Sequence, residues 1–295
     1  MTRWIAACLV VIGAGVAAQV APVPQDPASP RFSAATELIE VYATVTDAKG
    51  EPVTGLQRDD FDVFEDGRLQ EIDAFAGGEF PLTVALGIDR SWSMAGEPLR
   101  MAKQASQSFL RALKPGDRSM IVAISADAEI VAPLGTGRPE QSRAIAELDP
   151  WSTTALHDAI IAALDRLEPE PGRQALIVFS DGADRYSKAS AADVVARARR
   201  SNALVYPIAF GRTRPPFLAE LAVLTGGRSF LLRDARELET ALGQIARELR
   251  YQYLIGYAPS VPGDPGVRQW RQIKVTLKKP APGARVRARD GYMTE

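Results

Sequence analysis

Between Leu82 and Arg250, short continuous apolar runs alternate with segments whose apolar residues recur at helical spacing. Runs such as 82–88 (LTVALGI) and 174–179 (QALIVF) are typical of strands that are covered on both faces. Segments such as 97–113 and 155–167 place their apolar residues on one helix face. This alternation predicts an α/β fold with a doubly wound, mainly parallel sheet and helices on both sides.

The segments on either side of this region have the two-residue period of half-buried strands. Before it, residues 37–46 alternate apolar and polar types, and 61–65 and 69–75 flank the turn dipeptide Asp66-Gly67, which predicts a hairpin. After it, 251–257, 271–277 and 285–289 have the same pattern. Neither part has enough strands to cover its apolar face alone. We therefore predict that the α/β domain is inserted into one small β-sandwich formed by both parts; the alternative is two unrelated β appendages.

The N-terminal residues have the pattern of a secretory signal peptide. Arg3 precedes an uncharged apolar run, 4–18, which ends in Val16-Ala17-Ala18, small residues of the kind that signal peptidase cleaves after. An uncleaved anchor is the alternative, but these 15 residues fall short of the roughly 20 needed to span a membrane. Cleavage would remove Cys8, the one cysteine. We expect a secreted, periplasmic or cell-surface protein that has no transmembrane segment after cleavage and no disulfide.

The changes in period divide the chain into five parts. The predicted division is a signal peptide at 1–18, a Pro/Ala-rich linker at 19–35, the first part of the β-sandwich at 36–79, the α/β domain at 80–250 and the second part of the sandwich at 251–295.

Composition excludes several classes of function. The 35 Lys and Arg residues balance 36 Asp and Glu residues to a net charge of −1, whereas nucleic-acid binding needs a basic surplus. One His and one Cys leave little scope for His-ligated metal hydrolysis or for Cys/His nucleophiles. Two arginine- and lysine-rich stretches, 197–200 and 278–289, are expected to be mainly solvated; contact with a polyanion or an anionic surface is a secondary alternative.

Five oxygen-bearing side chains are predicted to meet at one edge of the sheet. Asp89, Ser91 and Ser93 follow the first strand, Thr154 precedes the helix at 155–167, and Asp181 follows the strand at 174–179. In an open α/β sheet, ligands bind beyond the carboxyl ends of the strands. Hard oxygen donors of low total charge suit Mg²⁺, Mn²⁺ or Ca²⁺. Taken singly, the aspartates could cap helices and the hydroxyls could belong to turns.

The order Asp-x-Ser-x-Ser, distal Thr and distal Asp before Gly resembles the metal-ion-dependent adhesion site (MIDAS) of the von Willebrand factor type A family over about 80–250. The resemblance implies that Asp89, Ser91, Ser93, Thr154 and Asp181 hold one divalent cation, with Mg²⁺ first and Mn²⁺ or Ca²⁺ as alternatives. It also implies binding of an acidic group on a partner protein, with no catalytic residues. The flanking β segments resemble a bacterial secreted subfamily that has no known biochemical activity.

Two residues beside this motif are candidates for a partner-binding rim. Family members often have Gly between the two serines, where this chain has Trp92. Trp92 could contact a partner or pack over the loop. His157 lies in the first turn of the helix that follows Thr154. It could contact a partner at the rim, or it could be a surface residue or one that supports the site.

These features predict a secreted or periplasmic, adhesion-type protein-binding module that recognises an Asp or Glu carboxylate through a bound cation. The first alternative is a structural envelope or assembly module without metal dependence. The second is a metal-assisted hydrolase; a Ser91, His157 and Asp181 triad would serve it, but the chain has no G-x-S-x-G motif.

Overall fold

The computed structural model describes residues 38–210, 213–261 and 266–294. The predicted signal peptide, 1–18, and linker, 19–35, lie outside these ranges.

The described secondary structure follows the predicted alternation. The strands are β1 (Ile39–Thr46), β2 (Phe61–Glu65), β3 (Arg68–Gln70), β4 (Ala74–Gly77), β5 (Leu82–Asp89), β6 (Arg118–Ile124), β7 (Ala128–Ala132), β8 (Arg173–Ser180), β9 (Leu204–Phe210), β10 (Phe230–Leu232), β11 (Tyr253–Tyr257), β12 (Trp270–Leu277), β13 (Arg285–Arg287) and β14 (Gly291–Met293). The helices are α1 (Glu97–Ala112), α2 (Arg138–Ala146), α3 (Leu156–Leu167), α4 (Ala191–Arg199), α5 (Pro216–Leu224) and α6 (Ala235–Arg250).

The α/β part is built on a six-stranded sheet in the order β10-β9-β8-β5-β6-β7. All neighbouring pairs are parallel except β6 and β7, which are antiparallel. Every residue of β5 and of β8 is buried, as their continuous apolar sequences predict. The predicted α/β fold class, with a mainly parallel sheet, is confirmed.

Helices cover both faces of this sheet and form a separate core on each. The first core holds apolar residues of α1, α2 and α6, including Phe109, Ile145 and Leu242. The second holds residues of α3, α4 and α5, including Ile160, Val194 and Leu218. No described helix is both long enough and apolar enough to cross a lipid bilayer.

The N- and C-terminal segments form two four-stranded sheets jointly. One has the order β13-β1-β11-β4 and the other the order β14-β12-β2-β3, so each takes two strands from either end of the chain. Their inward-facing residues share one apolar core that includes Val41, Val63, Ile255 and Ile273. The alternative of two unrelated β appendages is wrong, because neither segment forms a sheet of its own.

The prediction that 69–75 is one strand, paired with 61–65 in a hairpin, is wrong beyond residue 70. Only Arg68–Gln70 pairs with β2 across the turn at Asp66 and Gly67, both of which have positive φ. The chain then crosses to the other sheet, where Ala74–Gly77 pairs with β11. The period-two pattern continues through this crossover because Ile72 is also buried in the shared core. The short β14 was not predicted.

A buried polar network joins the two sheets of the sandwich. Glu65 accepts hydrogen bonds from Tyr257, at 2.8 Å, and from Tyr292, at 3.0 Å. Its other oxygen pairs with Arg271 at 2.8 Å. Tyr257 belongs to one sheet and the other three residues to the second. Because a buried carboxylate needs several partners, this network fixes how the sheets face each other.

The guanidinium of Arg173 binds the chain at both points where it passes between the sandwich and the α/β part. It is completely buried and donates to the carbonyl oxygens of Gly78 at 3.1 Å and Gln252 at 2.6 Å. It also donates to the last carbonyls of α6, those of Leu249 and Arg250, at 2.9 Å each. Gly78 lies where the chain enters the α/β part, and Gln252 lies where it leaves. One side chain therefore connects both ends of the insertion.

No carboxylate is among the described hydrogen-bond partners of Arg173. Its charge lies 4.4 Å from the centre of the Phe80 ring and 5.8 Å from that of Tyr42, both close enough for cation–π attraction. Burial lowers the pKa of Arg173 to about 10, still high enough for the side chain to be charged at neutral pH. Removal of this side chain would leave four carbonyl groups without their donor.

We expect Arg173→Met to lower the free energy of unfolding by at least about 3 kcal/mol, because buried acceptors lose a charged donor. Urea denaturation measures the change. The matched control is Arg118→Met, at the start of β6 in the same sheet, whose side chain is half exposed and pairs with Glu170. The control should stay within about 1 kcal/mol of the wild type. Equal losses in the two variants would contradict this role of Arg173.

Candidate metal site at the sheet edge

The candidate site lies at the point where the order of the parallel strands reverses. From β5 the chain runs outward through β6 and β7, and it then returns to add β8, β9 and β10 on the other side of β5. The carboxyl ends of β5 and β8 therefore border a crevice that no connecting helix crosses. Asp89 ends β5, and Asp181 directly follows β8.

Asp89 is fully buried at the floor of this crevice. Its Oδ1 accepts a hydrogen bond from the Ser91 amide at 2.9 Å, and its Oδ2 accepts one from the Ser180 hydroxyl at 2.6 Å. Burial raises the pKa of the Asp89 carboxyl, and the negative charge of Asp181 adds to the increase; the bonds from Ser180 and Ser91 oppose it. The ionised form is costly here, and a cation nearby would offset that cost.

Ser91 and Ser93 place two hydroxyl oxygens side by side. Their Oγ atoms are 3.1 Å apart, although Ser91 is buried and Ser93 is exposed. A short 3-10 turn, Trp92–Met94, begins immediately after Ser91 and gives this spacing. The pair thus extends from the buried floor of the crevice to its solvent side.

The segment around Thr154 is tied to the first loop by its backbone. Thr154 is buried, and the amide of the next residue, Ala155, donates to the Ser125 carbonyl at 2.6 Å. The Trp92 amide donates to the Ser152 carbonyl at 3.1 Å. Ser152 has φ +61°, a left-handed conformation that an L-residue rarely adopts outside turns and functional loops.

Asp181 is partly exposed and stands at the mouth of the crevice. Its Oδ1 accepts a hydrogen bond from the Ala183 amide at 3.0 Å, so the carboxylate stabilises the turn after β8. Its charge acts on Asp89, which places the two carboxylates in one electrostatic environment. Neither aspartate caps a helix.

The structure brings the predicted Asp, Ser and Thr segments to one edge, but it gives His157 other partners. The His157 ring lies 3.1 Å from the Ala189 carbonyl and 3.5 Å from the Asp184 carboxylate. It also packs edge-on against Phe217, with 4.9 Å between ring centres. The contacts with Ala189 and Asp184 hold α3 against the loop that follows β8, and the contact with Phe217 packs it against α5.

Trp92 is 65% exposed, so most of its ring does not pack over the loop. Two further aromatic residues at this edge are also exposed, Trp151 by 60% and Tyr186 by 64%. The Trp151 amide donates to the Arg90 carbonyl at 2.7 Å, and the Tyr186 amide donates to the Thr154 carbonyl at 3.0 Å. The three aromatic residues, here called the aromatic rim, are thus anchored on the loops that carry the candidate ligands.

Sequence reasoning missed the part played by Ser180. This residue is completely buried, donates to Asp89 and accepts from the Gly182 amide at 3.0 Å. It is the last residue of β8, so it points across to β5 while Asp181 emerges at the edge. The signal in the sequence was a hydroxyl at the end of an otherwise apolar strand, directly before the predicted ligand.

The donor set fits a hard divalent cation. It combines two carboxylates with three neutral hydroxyls, and oxygen ligands of this kind suit Mg²⁺, Mn²⁺ or Ca²⁺. Among the described residues there is no group of three or more His, Cys, Asp or Glu side chains that could hold a metal. A softer His- or Cys-rich centre is therefore absent from this part of the chain, and any ion here would depend on the hydroxyls.

Comparison with known proteins shows what the α/β part is similar to. The sequence model of the von Willebrand factor type A domain matches residues 84–183. No curated protein matches the chain.

Solved structures extend the likeness in fold. A von Willebrand factor type A protein from Catenulispora acidiphila is 16% identical with a TM-score of 0.53, over 86% of this chain and 73% of that one. Proximal thread matrix protein 1 from the mussel byssus, in a form with a zinc-occupied MIDAS motif, is 16% identical with a TM-score of 0.52, over 63% of this chain and 49% of that one. At these identities the likeness shows a common fold. The α/β part therefore has the von Willebrand factor type A fold, and the sequence match to that family covers residues 84–183.

Proposed function

We propose that this chain is a protein-binding module that recognises a carboxylate group of a partner protein through one divalent cation, Mg²⁺ first, held by Asp89, Ser91, Ser93, Thr154 and Asp181. The observation that carries the proposal is the buried Asp89 carboxylate, fixed at both oxygens beside the 3.1 Å pair of Ser91 and Ser93 hydroxyls. When bound, the cation supplies an electron-poor centre that attracts a partner's carboxylate.

The burial of the candidate ligands divides their tasks. Asp89, Ser91 and Thr154 are buried and would form the fixed floor of the site. Ser93 and Asp181 reach solvent and would border the side from which a partner approaches. Three of the five donors are neutral hydroxyls, and five donors fill only five of the six positions that Mg²⁺ takes. This supports a site that accepts a further negative group from outside.

The aromatic rim supports a protein partner. Trp and Tyr are enriched among the residues that dominate binding energies at protein interfaces, where they bury a large area with few rotatable bonds. Here three of them are exposed on loops anchored by backbone hydrogen bonds, so these loops would lose little conformational freedom on binding. We propose that Trp92, Trp151 and Tyr186 contact the partner around its acidic residue. His157, the other residue expected at the rim, is assigned to holding the loop after β8.

The predicted signal peptide supports a place outside the cytoplasm. A secreted, periplasmic or cell-surface location is proposed on the sequence of residues 1–18 alone. Membership of the bacterial secreted subfamily is likewise proposed from sequence alone, on the resemblance of the flanking β segments. The metal-free assembly module predicts no specific cation binding in the titration below, whereas the hydrolase predicts turnover that Asp89→Ala abolishes.

Calorimetric titration of Mg²⁺, Mn²⁺ and Ca²⁺ tests the cation site. We expect saturable binding to the wild type and a loss of affinity of roughly tenfold or more in Thr154→Ala, because a ligand oxygen is removed. The control is Thr153→Ala, which removes the neighbouring hydroxyl that is outside the donor set and should bind as the wild type does. Equal binding in all three proteins, or none in the wild type, would favour the metal-free module.

Ser180→Ala tests the supporting hydroxyl. We expect cation affinity to fall roughly 10- to 100-fold, as for loss of a group that orients a ligand, while the circular dichroism spectrum stays that of the wild type. The same titration measures the effect, with Ser187→Ala as control, since Ser187 bonds Asp184 on the far side of the loop. Unchanged affinity in Ser180→Ala would show that Asp89 needs no such support.

Selection of random peptides on the Mg²⁺-loaded protein, with elution by a chelator, tests the partner chemistry. We expect the eluted peptides to be enriched in Asp or Glu, and their affinity to fall roughly tenfold or more in Trp92→Ala, because an exposed aromatic anchor is lost. Val223→Ala is the matched control, since Val223 is 73% exposed on α5. Peptides without enrichment in acidic residues, or an equal loss of peptide affinity in both variants, would contradict the proposal.

A further inference from the structure

A second concave surface lies at the opposite edge of the six-stranded sheet. It is a cleft of about 540 Å³, bordered by the end of α4, the start of β1 and the segment around β14. Asn202, in its wall, precedes the first residue of β9 by two positions, so the cleft adjoins the amino ends of the strands. Its volume falls within the range of about 300–1,000 Å³ that is typical of sites for small molecules.

Four arginines line this cleft: Arg199, Arg200, Arg268 and Arg289. Two acidic residues, Glu40 and Glu168, lie among its walls, but Glu168 is already paired with Arg197 at 3.0 Å. The chain as a whole has a net charge of −1. The cleft therefore has more positive charge than the protein has on average. A concave surface focuses the electrostatic field of such charges.

Two of the four guanidinium groups are held in place. Arg289 donates to the Asn202 side chain at 2.5 Å and lies 5.6 Å from the centre of the Tyr292 ring. Arg199 lies 4.4 Å from the centre of the Trp270 ring and 3.6 Å from the Asp290 carboxylate. Because the side chains are fixed by neighbours, they would lose little freedom when a ligand binds.

The fixed arginines are incompletely satisfied. The Nε atoms of Arg199 and Arg289 are buried and have no hydrogen-bond partner among the described residues. Burial lowers the pKa of Arg289, although the nearby tyrosines and acidic groups oppose this shift. A cation held partly out of water is stabilised by a negative charge brought close to it.

The other two arginines are available to a ligand. Arg200 and Arg268 are exposed, and no hydrogen bond or ion pair joins either side chain to a described residue. They belong to different elements, Arg200 to the end of α4 and Arg268 to the loop before β12. Donors therefore converge from several directions around one space.

We propose that this arginine cleft binds a phosphate or sulfate group. A planar carboxylate is largely filled by one or two guanidinium forks, whereas a tetrahedral oxyanion offers acceptors to donors that come from several directions. The volume leaves room for a small organic group attached to that anion. The proposal is independent of the cation site, since the cleft and the candidate MIDAS lie at opposite edges of the sheet.

Calorimetric titration with inorganic phosphate and sulfate, in buffer that contains a chelator, tests the proposal. The wild type should bind either anion at millimolar concentrations or below, and the double variant R200Q/R268Q should bind at least about tenfold more weakly. These two side chains are exposed, so the variant should fold. R285Q is the matched control, since Arg285 is exposed on β13 outside the cleft, and it should bind as the wild type does.

Titration with acetate tests the preference for a tetrahedral anion, and titration with glycerol phosphate distinguishes an esterified ligand from the free anion. Acetate that binds as tightly as phosphate would overturn the preference for a tetrahedral anion. Glycerol phosphate that binds more tightly than phosphate identifies an esterified ligand, and equal affinity identifies the free anion; both support the site. No phosphate or sulfate binding to the wild type, or an equal loss in R285Q, would overturn the proposal.

Discussion

The buried guanidinium of Arg173 is the interaction on which the joining of the two parts depends. An insertion must leave its host and return to it at neighbouring points, and here those points are Gly78 and Gln252, both bonded to one side chain. The same side chain binds the last carbonyls of α6. Arginine suits this task because its planar group donates in several fixed directions and keeps its charge even where burial lowers its pKa. The β-sandwich and the α/β sheet are therefore held in one arrangement.

With that arrangement fixed, the order of the strands decides where chemistry can occur. Asp89 and Ser180 meet because β5 and β8 are neighbours whose connecting helices leave in opposite directions. The resulting crevice has buried donors at its floor and exposed ones at its mouth. The aromatic rim stands on the loops around it. At the other edge of the same sheet, the arginine cleft has the opposite character, because four arginines line it.

Much of the fold could be predicted because hydrophobic period depends on burial, and burial here is regular. Strands β5 and β8 are buried along their whole length, so their apolar sequences identified them. The prediction was wrong at 69–75, where an unbroken period-two pattern concealed a change of sheet, because Ile72 is buried during the crossover itself. The candidate ligands were identifiable from their order along the chain. Ser180 was not, because a buried serine at a strand end is also common as a simple packing residue.

The sequence by itself determined most of the elements, and it predicted the insertion of one domain in another and the five oxygen-bearing residues of the candidate cation site. Only the tertiary structure decided that Ser180 holds Asp89, that Trp151 and Tyr186 join Trp92 at the rim, and that His157 is bonded to the loop after β8. It alone brought Arg199, Arg268 and Arg289 to one cleft. The physical reason is that periodicity and motif order are properties of neighbouring residues. Hydrogen bonds and charge clusters depend on distances between residues far apart in the chain, and those distances exist only once the sheets have packed.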